Sequence, residues 1–556
     1  MCIHYDSDDK PVANGSFVKQ DRKTAMLLHH SLHSRRFRLG AILFLLALAV
    51  VVVGLESRFL WGSWFWWIDD HDQLGFGTGT LPERLTRVPS EIVANGEIIH
   101  SWLRYRPVYF IERIVVSSAI GERPDIWFLY RQAQFAAIVF LSGLITLYTM
   151  LAAVRARSSS SALTIVILTI AASTELLVAT LPAWSDIFTR LGPSEALAML
   201  GLSLSLFGLA KSAYNPRKPQ VIFVLIGVVV MAGAKENFAA YGAVIAIILL
   251  VAQLRWWNRT RVGVFATIAC IAFPVFVLVR VRSAMSASGN DIYGRQTESI
   301  PVLDVTRRVL AEIPVDVEIL IAIVILLLIK NIVLARRKSK PLNRLFAMAL
   351  VAIGIISVSI CEQIFYYGSP SALRYGVLSE YLSVLLLVTV VIAAVVTFTW
   401  SSHQWLGIVI AALLISTSIG TFQSTVRRSQ TGYEQFVAQA LATKLQTNDF
   451  RFRLEAIAAL SRNQDNAPII LHVSDVMAEW EATASMARFL SLVYGRHVYY
   501  VLDYPEQYAG SGPSPEGSRL GDPTWMVLPM ANLADEVSTT RICVTNLTDS
   551  LNANEC

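Results

Sequence analysis

Three carboxylates within four residues, Asp69, Asp70 and Asp72, follow the aromatic run Trp64-Phe65-Trp66-Trp67 just beyond the first apolar segment. Adjacent carboxylates at a poorly hydrated surface repel one another, so one of them is suited to take a proton from a reacting hydroxyl. Asp69 and Asp70 are therefore the candidate catalytic residues, and Asp72 a candidate substrate contact beside them. The same oxygen-rich pair could instead hold a divalent metal ion. A polar cap on the end of a helix is the plain structural alternative. His71 stands between the acids and is read as a neighbour or a participant.

The cations that would complement such acids come from three further places. Arg104 and Arg106 flank Tyr105 and precede Pro107. Alternate spacing turns two guanidinium groups to one face of an extended segment, an arrangement that grips phosphate, although interfacial arginines also snorkel toward lipid headgroups. Lys235-Glu236-Asn237 interrupts the apolar stretch from Val221 to Val251, which is too long for one span and just long enough for two short ones. Charges at membrane depth line a cavity or substrate path, or else pair within a tight turn. Arg374-Tyr375 opens a later apolar span, where the helix dipole disfavours a cation. An anionic ligand or an acid such as Glu380 would account for it, whereas Glu175, Asp186 and Glu195 read as ordinary interfacial acids.

The elements that must position these residues are mostly membrane helices. The chain has 556 residues, of which 54% are hydrophobic and 16% charged, the composition of a polytopic membrane protein. A window of roughly 19 residues predicts about eleven spans. They lie near 38–56, 134–154, 161–180, 194–210, 220–234, 238–254, 262–281, 316–335, 345–361, 377–398 and 406–422. Arg35, Arg36 and Arg38 precede the first span and no small-residue cleavage site follows it, so it reads as a retained anchor. Alternate connections are basic, with Arg155 and Arg157, Lys211, Arg217 and Lys218, Arg255, Arg259 and Arg261, then Arg336, Arg337, Lys338 and Lys340. The positive-inside rule then places the N-terminus in the cytoplasm and the C-terminus outside the cell (inner) membrane, in the periplasm if the host is a bacterium. The net charge of +6 belongs to those loops and implies no nucleic-acid partner.

The domain plan that follows is a cytoplasmic tail over 1–37, a transmembrane region over 38–422 with a long first external loop over 57–131, and an extracytoplasmic α/β domain over 423–556. In the last, an amphipathic helix at 450–460, an apolar run Pro468–Val473, a helix near Ala478–Tyr494 and a strand at His497–Leu502 give a βαβ pattern, followed by a Gly/Ser/Pro loop at Gly510–Gly517. Cys543 and Cys556 share this segment, where an oxidising compartment could pair them. The sequence has no Walker A loop, GxGxxG, HExxH or GxSxG elbow, so whatever chemistry occurs uses a membrane-borne substrate.

Taken together, Asp69-Asp70 opening the first external loop, Arg104-x-Arg106-Pro107 ending it, the Lys235-Glu236 break, Arg374-Tyr375, and about eleven spans with an external C-terminal domain resemble the GT-C superfamily of integral-membrane glycosyltransferases, in particular bacterial O-antigen or lipid-glucosyltransferase-like members. That resemblance implies a polyprenyl-phosphate sugar donor, a lipid or glycan acceptor in the cell envelope, transfer on the outer face and inversion at the anomeric carbon. It implies Asp69 or Asp70 as general base, with Arg104, Arg106, Lys235 and Arg374 neutralising the departing phosphate. A divalent metal at the acidic pair is compatible with it. Two other readings stand beside it: a transporter or lipid flippase, which would ordinarily show repeated halves with paired broken helices, and a non-catalytic scaffold presenting the C-terminal domain.

Overall fold

The computed structural model describes residues 35–66, 70, 82, 86, 105–121, 123–154, 161–255, 260–288, 374, 377–378, 380–385, 387–388, 404–474, 476–502, 528–529, 541–545, 547 and 552–555. Asp69, His71, Asp72, Arg104 and Tyr375 lie outside these residues, as do the expected spans at 316–335 and 345–361 and the loop at Gly510–Gly517.

Helix α1 (Arg35–Ser57) is followed by a 3-10 turn, Arg58–Leu60. A helical pair comes next, α2 (Pro107–Ile120) and α3 (Pro124–Val154), reversing at Gly121, whose φ of +65° is one that a side chain resists. Then come α4 (Ser161–Ala179), α5 (Glu195–Tyr214), α6 (Val221–Ala234), α7 (Phe238–Arg255), α8 (Arg261–Ser288) and α9 (Gln404–Asn463). Among the described residues, four helices are long and apolar enough to cross a membrane, and α4, α6 and α7 supply shorter apolar helices. The chain is a multi-pass helical membrane protein.

The helices diverge from the predicted spans at their ends. α3 starts at Pro124, ten residues before the expected boundary at 134, and so carries Asp125 and Arg131 in its first turns. α8 runs on to Ser288, past the expected boundary at 281, which places Arg282 on a helix. The apolar segment at 406–422 and the amphipathic segment at 450–460 are one continuous helix, α9, of 60 residues. Hydropathy changes along α9 without a break, because no proline or glycine pair interrupts its backbone hydrogen bonds near Arg427-Arg428.

Small residues set how closely the membrane helices approach. A Cβ on Gly201 of α5 would meet Met231 N at 2.6 Å and Gly227 O at 2.7 Å, and one on Gly227 of α6 would meet Gly201 O at 2.4 Å. Only glycine permits that backbone contact, which supplies dispersion where no hydrophobic driving force exists between helices in lipid.

Beyond α9 the chain forms a sheet in the order β3-β2-β1-β4-β5, from Ile469–Val473 (β1), Val498–Leu502 (β2), Leu528–Pro529 (β3), Ile542–Thr545 (β4) and Asn552–Glu555 (β5). β1, β2, β3 and β4 run parallel and β5 is antiparallel to β4. Helix α10 (Val476–Arg488), extended by a π turn at Phe489–Val493, makes the β1-to-β2 crossover that the sequence pattern predicts. Cys543, in the middle of β4, is disulfide-bonded.

Candidate active site

The site is assembled where α6 and α7 are interrupted. α6 ends at Ala234 because Lys235 takes an extended conformation (φ −151°, ψ 133°), and α7 restarts through Phe238 N–H to Lys235 O at 3.1 Å and Ala239 N–H to Glu236 O at 3.2 Å. Lys235, Glu236 and Asn237 are all buried. A charged turn at that depth must be met by partners, since an unpaired buried ion costs several kcal/mol.

The partners come from distant segments. Arg106 grips Glu236 bidentately, Nε to Oε2 at 2.6 Å and Nη2 to Oε1 at 2.9 Å. Arg106 is the residue before Pro107, which occupies the first turn of α2, where a missing N–H costs nothing. Val108 then packs on Gly233, where a Cβ would meet its Cγ2 at 2.3 Å, so α2 is seated on the end of α6. Tyr105 packs edge-on to Phe276 of α8, with ring centroids 5.7 Å apart.

Lys235 Nζ is paired with Glu195 in the first turn of α5, with both side chains almost completely buried. Arg374 Nε lies 3.7 Å from the same carboxylate oxygen of Glu195 and 4.0 Å from Asp186 Oδ2, and the Arg374 N–H donates to Asp186 Oδ2 at 3.4 Å. Arg190 completes the edge, 3.8 Å from Asp186 Oδ1. Glu380 accepts the Ala183 N–H at 3.3 Å. Asp186 and Glu195, read from sequence as interfacial acids, are thus members of the charged cluster, and Arg374 answers to them at the start of its span.

Asp70 is buried in the floor of this region. Its Oδ2 accepts Trp66 N–H at 2.9 Å, and its Oδ1 accepts the N–H groups of Leu191 and Gly192 at 3.0 Å each. Two buried arginines hold the opposite side of the same turn: Arg113 Nη2 donates to Leu191 O at 2.7 Å, and Arg131 Nη2 donates to Leu191 O and Pro193 O at 2.6 Å each. Burial works against the Arg113 cation, but Tyr109, Glu112 and, more weakly, Asp70 outweigh it and raise its pKa above the ordinary arginine value. Arg113 also lies under aromatic rings, 4.8 Å from the Tyr109 centroid and 5.7 Å from that of Trp127. Asp70 and these arginines therefore fix the turn that leads, at Glu195, into the cationic cluster.

Arg113 and Arg131 escape sequence reasoning because α2 and the first turns of α3 look like part of a loop. The available signal is the i, i+4 spacing of Tyr109, Arg113 and Ser117 on a short amphipathic helix. Among the described residues no group of three or more His, Cys, Asp or Glu side chains is arranged to hold a metal ion.

The segment that delivers the acids is itself anchored. Trp64 N–H donates to Thr447 Oγ1 of α9 at 3.0 Å, and Asn448 Nδ2 donates to Gly62 O at 3.1 Å. The Trp64 ring packs against Phe65, Phe450 and Phe489, with centroids 5.7, 6.1 and 4.7 Å away. α9 also touches the Thr180–Pro182 turn, where a Cβ on Gly432 would meet Thr180 O at 2.1 Å.

No family model matches the chain, and no curated protein matches it. Among solved structures, the chain is similar to ArnT from Cupriavidus metallidurans in the apo state, at 13% identity and a TM-score of 0.41, over 91% of this chain and 93% of that chain.

Proposed function

We propose that the protein is a membrane glycosyltransferase of the GT-C kind, moving a sugar from a polyprenyl-phosphate donor to a cell-envelope acceptor on the outer face. The observation that carries this reading is the convergence of Arg106, Lys235 and Arg374, from three distant segments, on two buried carboxylates, Glu236 at the helix break and Glu195 at the start of α5, the latter following the turn that Asp70 holds. Cations gathered beside membrane-buried acids suit a reaction in which a lipid phosphate departs with negative charge.

In this mechanism Asp69 takes the proton from the acceptor hydroxyl. The resulting oxygen attacks the anomeric carbon, and the bond from that carbon to the donor phosphate breaks, its electron pair leaving on the phosphate. Asp70, with its oxygens engaged by three backbone N–H groups, positions the loop, which leaves the proton transfer to Asp69. Asp72, Arg104, Arg106, Lys235, Glu236, Arg374 and Tyr375 form the donor contacts. The disulfide at Cys543 supports a non-cytoplasmic sheet domain, since such bonds persist in oxidising compartments.

The test is mass analysis of envelope glycans from a deletion strain complemented with wild type or with Asp69→Asn. One sugar residue mass is expected to disappear on deletion, to return with wild type and to stay absent with Asp69→Asn. Full restoration by both Asp69→Asn and Asp70→Asn would sink the enzymatic reading, whereas restoration by Asp69→Asn alone would move the base to Asp70.

A further inference from the structure

Glu195 occupies an unusual place in the charged cluster. Its carboxylate is the common partner of Lys235 and Arg374, and it lies within the field of Arg106 as well. It also sits in the first turn of α5, where the helix N-terminus adds positive potential. One small anion is thus surrounded by three cationic side chains and a helix dipole. Two residues next in sequence to this pair carry buried polar atoms without a hydrogen-bond partner among the described residues: Ser194 Oγ, one residue before Glu195, and Asn237 Oδ1, two residues after Lys235. Most buried polar atoms in folded proteins are satisfied, so such a pair beside a buried ion pair calls for an explanation.

A purely structural ion pair does not need this surplus. Arg106 is already satisfied by two bonds to Glu236, and Arg374 already meets Asp186 through its backbone N–H and side chain. We infer that the Glu195 carboxylate is a resident stand-in for the lipid phosphate, holding Lys235 and Arg374 in place and surrendering them to the phosphate of the polyprenyl donor and then to the monoester it leaves behind. The Ser194 hydroxyl then donates a hydrogen bond to the incoming phosphate. This rests on the glycosyltransferase reading for the identity of the lipid, while the exchange itself concerns only anion binding.

The experiment measures binding without turnover. Full-length wild type, Glu195→Gln and Glu195→Asp are purified in detergent and titrated with farnesyl monophosphate, with inorganic phosphate as a parallel probe. Glu195→Gln is expected to bind farnesyl monophosphate about tenfold more tightly than wild type, because the competing charge is gone. Glu195→Asp, whose charge is drawn back by one methylene, is expected to fall between them. Inorganic phosphate should bind more weakly than the lipid in all three; equal affinity would overturn the assignment to a lipid headgroup. Wild-type binding with no gain in Glu195→Gln would overturn the exchange and leave the glycosyltransferase reading standing. Absence of binding in all three folded proteins would overturn both. If neither variant folds, as judged by size exclusion and thermal unfolding, Glu195 is a structural counter-ion and the exchange is refuted.

Discussion

The Gly192 N–H donates to Asp70 Oδ1 at 3.0 Å, joining the acidic motif of the first loop to the turn that introduces α5. The bond is buried, and Leu191 N–H repeats it on the same oxygen at 3.0 Å. On the proposed mechanism the two adjacent aspartates have separable duties, Asp70 holding backbone N–H groups and Asp69 taking the proton.

That separation is testable by paired variants. Asp70→Ala strands buried N–H donors, each worth about 1–3 kcal/mol when unsatisfied, so thermal unfolding in detergent should fall clearly. Asp69→Asn should unfold at the wild-type temperature while sugar transfer drops at least about 100-fold, in the range ascribed to a lost general base. The opposite pattern would exchange the two roles.

Removing Lys235 alone leaves Glu195 buried with its main partner lost. Lys235→Met should therefore destabilise the protein by about 3–5 kcal/mol. Combining it with Glu195→Leu should recover most of that stability but no donor binding, which denaturation curves and a lipid-phosphate titration would separate.

Gly432 sets the distance between α9 and the Thr180–Pro182 turn. Gly432→Ala must push these backbones apart, since the new Cβ would lie 2.1 Å from Thr180 O. A loss of about 1–3 kcal/mol is expected by unfolding measurements. An unchanged melting temperature would show that the turn adjusts freely.

Trp64 is packed by side chains of α9 and of the π turn after α10. Trp64→Ala should cost about 3–5 kcal/mol and loosen the sheet domain from the membrane helices. Limited proteolysis between the two should accelerate; wild-type resistance would contradict this coupling.

Much of the fold was legible because hydropathy and charge punctuation are strong signals in a membrane chain. The helices at 161–179, 221–234 and 238–255, and the β1-α10-β2 unit, match the predicted segments within a few residues. The start of α3 and the end of α8 were not legible, since helices that emerge from lipid continue with polar residues that a hydropathy window rejects. The site was partly legible. Lys235 stood out as a charge among apolar residues, whereas Asp186 and Glu195 sit at an ordinary helix start and acquire meaning only from Arg374, which is remote in sequence.

α9 is the feature with the widest reach. Its 60 residues make a rod of about 90 Å at about 1.5 Å per residue. Gly432 and Thr447, its contacts with the Thr180–Pro182 turn and with Trp64, lie about 22 Å apart along that rod. The helix therefore acts as a gauge that keeps the Thr180–Pro182 turn and the Trp64 segment in phase. One residue inserted between the two marks would turn the far mark by about 100° and break the fit, whereas a seven-residue insertion would nearly restore the facing while adding about 10 Å of length.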